Sequence, residues 1–170
     1  MVTSIKTNDP DSSSAAVLKY ALENLINLGI YMLIVLIISM ITGDFVTALI
    51  AVVVFPLLRY FSGGLHFKSE NVCNIISSLL VLICIYYKID FWYTGVVMNV
   101  IALITLVITA PANVPRSNLK RHEFKYLKMI VAVIVGSNLY FQMSVLSLVF
   151  FIQALTTLPV AQRLLDKYKL

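Results

Sequence analysis

The chain has 170 residues, 60% of them hydrophobic and only 12% charged, with a formal net charge of +5 and a mean hydropathy of +0.92. A soluble domain carries about 25% charged residues, so a soluble fold is excluded. The composition reads as an all-α integral membrane protein with the lipid bilayer as its first partner, and no nucleic-acid partner is expected.

Residues 1–14 are polar and rich in Ser, Asp and Asn. They lack a basic segment leading into a short apolar core and a small-residue cleavage site, so a cleaved signal peptide is not expected and the stretch reads as a flexible cytoplasmic tail. Residues 15–170 then form a single transmembrane helical domain of about six spans.

The first span runs from Leu18 to Ile41, with Lys19, Glu23, Asn24 and Asn27 placing its early turns at the interface or against another helix. Lys19 and Glu23 stand at i and i+4 and can pair on one helix face. The second span is Phe45 to Leu58, the third Val72 to Tyr87 and the fourth Phe91 to Ala110, with Asp44 and Asp90 at span edges. Between the third and fourth, Tyr86, Tyr87, Phe91, Trp92 and Tyr93 surround Lys88 and mark a membrane interface. The apolar stretch from Leu127 to Val160 is too long for one span, and the turn-prone run Gly136, Ser137, Asn138 is where it is expected to divide.

Six spans can be oriented by their positive charges, which are retained on the cytoplasmic side. Of the thirteen Lys and Arg residues, all but Lys88 fall on one side. Both termini are therefore expected in the cytoplasm, together with the connection between the second and third spans. Cys73 and Cys84 then lie on the reducing side or within the membrane, eleven residues apart along one helix, and cannot form a disulfide. Cys84, among Leu82, Ile83 and Ile85, reads as a buried thiol.

That connection, RYFSGGLHFKSENVCNIISS over residues 59–78, holds the chemistry. On a single helix His66 and Cys73 would be about 10 Å apart, too far to interact. Gly63 and Gly64 permit a tight turn near Arg59 that returns His66 over the start of the next helix. Ser69 or Asn71 is the expected N-cap, which puts Cys73 in or near the first turn. A helix N-terminus and a neighbouring imidazole both favour a thiolate nucleophile. The pair has the chemistry of a cysteine peptidase, with His66 as base and then acid and Cys73 as the attacking group. Glu70, Asn71 and Asn74 are candidates for orienting the imidazole. The same two residues would also fit a snorkelling histidine and a small buried thiol, so spacing alone leaves both readings open.

No metal or other cofactor is expected. His122 and Glu123 begin an H-E-x-x-H pattern, but position 126 is Tyr, and no other cluster has zinc spacing.

Arg59, Gly63, Gly64, His66 and Cys73 together resemble the R-x-x-x-G-G-x-H-x6-C signature of the AgrB family, membrane peptidases of Gram-positive quorum-sensing systems. The resemblance extends to the polar tail, the span number, the Pro-containing basic loop 111–128, and Gln153 and Pro159 near the last span. It implies a catalytic dyad of His66 and Cys73 supported by Arg59 and Gly64. It also implies a substrate: an AgrD-like propeptide cut at the C-terminal side of its core through a thioester on the enzyme, leading to a cyclic thiolactone or lactone. The family's propeptides end in an acidic tail, which Arg116, Lys120, Arg121, Lys125 and Lys128 would attract, although anionic lipid would attract the same charges. These charges are spread out here, whereas the family often clusters them after a proline. The resemblance is also compatible with a homodimer. The alternative is a non-enzymatic peptide exporter or permease in which Cys73 only packs. Such a protein would be expected to show internal repeats or polar midplane residues, and the two halves of this chain do not align.

Overall fold

Hydrocarbon offers no partner to a backbone N–H or C=O, so each segment must satisfy its own, and this chain does so with helices. The computed structural model describes residues 15–65, 70–112 and 123–168. It contains α1 (Ala15–Thr42), α2 (Phe45–Ser62), α3 (Glu70–Tyr86), a π-helical turn Phe91–Gly95 that continues as α4 (Val96–Thr109), α5 (Glu123–Phe141), α6 (Ser144–Thr156) and α7 (Pro159–Tyr168). Among the described residues there is no strand, and the molecule is an all-α membrane protein.

All six expected apolar segments are helical, and four have spanning length: Leu22–Thr42, Phe45–Ser62, Phe91–Thr109 and Phe124–Phe141. Val72–Tyr86 and Ser144–Thr157 are shorter. At 1.5 Å per residue the 13-residue α6 reaches only about 20 Å, against a hydrocarbon core of about 30 Å. It occupies the centre instead, packed against α2, α3, α4 and α5. Nine of its residues are buried, including Val149 and Phe150.

The surrounding helices are apolar on every side yet turn one stripe inward. On α1 the stripe is Tyr31, Val35 and Ser39, while Leu33, Ile37 and Ile41 face outward. Ala48, Ala51, Val52 and Phe55 form it on α2, and Asn99, Ala102 and Leu106 on α4. Burying apolar surface gains little when lipid is the solvent, so small residues that allow close backbone approach, and polar ones that hydrogen-bond, select the inward side.

Three boundaries differ from the sequence reading. The second span continues past Leu58 and Arg59 to Ser62, despite Pro56 within it, and ends where Gly63 N–H donates to Arg59 O at 2.9 Å. Helix α5 runs straight through Gly136, Ser137 and Asn138, and the chain turns at Gln142, whose φ is 57°. Asn138 is the reason. Its Nδ2 donates to Met143 O and its Oδ1 accepts from Met143 N–H, both at 3.1 Å, so the side chain takes up the backbone groups that the turn releases. The third difference is α7 from Pro159, a further helix placing Gln162, Arg163 and Lys167 on one side by helical spacing.

The two ends of the bundle differ. At one, Lys88 Nζ donates to Asp44 Oδ1 at 2.9 Å and joins the α1–α2 corner to the segment after α3. Asp90 caps the π-helical turn by accepting from Tyr93 N–H at 3.1 Å. At the opposite end lie the C-termini of α2 and α4 and the start of α3. Lys19 and Glu23 form the expected pair on α1 at 3.7 Å, both ends substantially exposed.

Candidate active site

The site begins where α2 stops. Gly63 has φ 71° and Gly64 φ 147°, conformations that a side chain resists, so the paired glycines make the turn their spacing indicated. The turn also docks. Gly63 forms an isolated parallel bridge with Ala112, in which Ala112 N–H donates to Ser62 O at 2.9 Å and Gly64 N–H to Ala112 O at 3.3 Å. A Cβ on Gly63 would lie 1.9 Å from Ala112 O, so any other residue would break the contact. One on Gly64 would meet Thr156 Oγ1 at 3.0 Å and Gln153 Nε2 at 3.3 Å.

Arg59 sits in the last turn of α2, where a cation complements the helix dipole. Its Nη2 donates to Leu65 O, just beyond the glycines, and to Cys73 Sγ at 3.6 Å. One guanidinium nitrogen thus ties the turn to the nucleophile candidate. Cys73 is the fourth residue of α3 as described from Glu70 and is half-buried. Asn71 lies inside this helix and does not cap it, because the helix has already begun at Glu70. Cys73 and Cys84 are both free thiols, and Cys84 is buried, as its apolar neighbours implied.

The structure thus brings together Arg59, Gly63, Gly64 and Cys73. His66 and Ser69 lie outside the described residues, as do Arg116, Lys120, Arg121 and His122. Asn74 follows Cys73 in α3 and is half-buried. Of the basic candidates that are described, Lys125 is exposed, whereas Lys128 Nζ donates to Ile108 O at 3.2 Å and closes the C-terminal end of α4.

Sequence reasoning missed Ser62, Ala112 and Thr156, and it noted Gln153 only as part of a family likeness. Gln153 is fully buried, and its Nε2 donates to Ser62 Oγ at 2.9 Å and to Gly63 O at 2.7 Å. The signal was present: an amide inside an otherwise apolar helix must find a partner within the protein.

Comparison with known proteins places the chain in a family. A family profile described as accessory gene regulator B matches residues 1–161. Accessory gene regulator protein B of Staphylococcus aureus strain bovine RF122 / ET3-1 is 28% identical over 135 residues, covering 72% of this chain and 71% of the relative. The protein of that name from strain JH9 is similar to the same extent. No solved structure matches the chain. With the profile matching nearly the whole sequence, the chain belongs to the accessory gene regulator B family.

Proposed function

We propose that the protein is a membrane cysteine endopeptidase that cuts an AgrD-like propeptide at the C-terminal side of its core. The observation that carries this reading is the Arg59 contact, in which a cation from the end of α2 faces a thiol on α3 across a two-glycine turn.

In the proposed reaction Cys73 Sγ attacks the scissile carbonyl, and His66 takes the thiol proton and passes it to the departing amine. The C–N bond breaks, the acidic C-terminal fragment leaves, and the core remains as a thioester on Cys73. An internal Cys or Ser of the peptide then attacks that carbonyl. Its proton returns through His66, and Cys73 is expelled as the ring closes. One acyl bond is exchanged for another, so no ATP is needed. Arg59 faces the sulfur in each step where it is anionic. Lys125, together with Arg116, Lys120 and Arg121, supplies positive charge for the acidic tail, and six transmembrane segments with both termini inside place the site at the cytoplasmic face. Assembly as a homodimer belongs to the same proposal.

The test is co-expression with an AgrD-type propeptide, comparing wild type with Cys73→Ala and His66→Ala by mass spectrometry. Wild type is expected to yield trimmed peptide and both variants to leave the precursor whole while still inserting in the membrane. Processing by Cys73→Ala at the wild-type level would show that the thiol only packs.

A further inference from the structure

Gln153 lies near the end of the central helix, completely buried, and hydrogen-bonds to the two-glycine turn. The orientation of its amide follows from chemistry. A carbonyl oxygen can only accept, so the end facing Gly63 O at 2.7 Å must be Nε2. The same nitrogen donates to Ser62 Oγ, and the Ser62 hydroxyl donates to Gly63 O at 3.2 Å. Among the described residues this arrangement leaves Oε1 buried with no hydrogen-bond partner. Thr156 Oγ1 donates to Gln153 O at 2.7 Å and stands beside Gly64.

An amide placed for stability alone would have both ends satisfied. Here, among the described residues, the oxygen end is left unmatched and the nitrogen end is committed to Ser62 Oγ and Gly63 O. Local costs of this kind persist where position matters more than stability. The carbonyl belongs to the turn that leads to Leu65, and Leu65 O is the second acceptor of the Arg59 nitrogen that faces Cys73 Sγ.

We propose that Gln153 is a positioning residue of the Cys73 site. Through Gly63 and Ser62 it fixes the turn that holds the Arg59 guanidinium against the sulfur, without itself touching the peptide. The inference rests on the reading of Cys73 as the nucleophile.

Gln153→Met tests it, because methionine keeps the volume, suits the apolar helix and removes the unmatched acceptor. The full-length protein in lipid nanodiscs is assayed with a synthetic AgrD-type propeptide, recording kcat, KM and thermal midpoint. Gln153→Met is expected to melt no lower than wild type and to keep KM within about twofold, while kcat falls at least tenfold, about 1.4 kcal/mol in the barrier. Ser62→Ala, which removes one of the two acceptors, is expected to lose less, and the double variant no more than Gln153→Met alone, as required of residues acting in one chain. Folded Gln153→Met with wild-type kcat overturns the role of Gln153. If that variant fails to insert, wild-type kcat in Ser62→Ala overturns it instead. Cleavage that survives Cys73→Ala overturns the reading of the site as a whole, so the two failures are distinguishable.

Discussion

Arg59 shows what a single residue contributes here. Its reach across the two-glycine turn depends on a planar guanidinium whose one nitrogen can donate twice, to Leu65 O and to Cys73 Sγ. Lysine has the charge but presents it as a point on a flexible stem. Arg59→Lys is therefore expected to insert normally and to lose at least tenfold in the rate of propeptide cleavage, measured by mass spectrometry of the released fragment. A rate within twofold of wild type would mean that charge alone suffices. The motif residues were legible in the sequence because Arg, paired Gly and Cys are conspicuous at the edge of an apolar run. Their partners were not. Ala112 and Ser62 contribute backbone atoms, and no side-chain pattern announces a carbonyl that another segment will need.

At the scale of the element, the α5–α6 corner is the most instructive. Gly136 invites a break by composition, but in α5 it is an ordinary helical residue with nothing within 4 Å of where a Cβ would stand. Asn138, two residues later, turns inward and bonds Asn99 Oδ1 at 3.1 Å, Ser147 Oγ at 3.0 Å and both backbone groups of Met143. Asn99 Nδ2 in turn donates to Val135 O at 3.1 Å. These amides lie near the end of the bundle away from Cys73 and satisfy one another, which fits a structural corner better than the midplane site of a transporter. Asn138→Leu strips several buried partners at once and is expected to cost about 2–4 kcal/mol. Gly136→Ala, with open space around it, is expected to gain about 0.4–1 kcal/mol. Denaturation of the purified variants in detergent checks both, and a stabilised Asn138→Leu would contradict the role given to the corner.

The whole molecule has an electrical direction. Lys88, paired with Asp44, is the one described basic side chain at its end, while Arg59 beside Cys73, Lys125 and Lys128 lie toward the other. Exposed Tyr93 and Tyr140 mark the first end, at 83% and 84% exposure, where aromatic rings suit the interface between headgroups and water. Retention of positive charge then predicts Lys88 outside and Cys73 inside. A membrane-impermeant maleimide applied to intact cells is expected to label Tyr93→Cys and to spare Lys125→Cys, which should react only after permeabilisation. Labelling of Lys125→Cys in intact cells would invert the orientation and overturn the proposed approach of a propeptide from the cytoplasm. The Asp44–Lys88 pair itself is exposed on the lysine side, so its loss should cost less than about 1 kcal/mol.

The sequence by itself determined the solvent, the helical class and the short stretch that holds the nucleophile candidate. Twenty-residue apolar runs have one physical solution in lipid, and the local order Arg59, Gly63, Gly64, Cys73 requires only chain chemistry to recognise. Tertiary structure alone decided which faces turn inward, because a helix that is apolar all round gives no periodic signal, and small or polar residues choose its side only once neighbours exist. It also decided that the shortest apolar helix stands at the centre, and that a glutamine ninety residues along the chain closes over Gly63. Contacts at that separation depend on how helices pack, a property that the local pattern of residues does not carry.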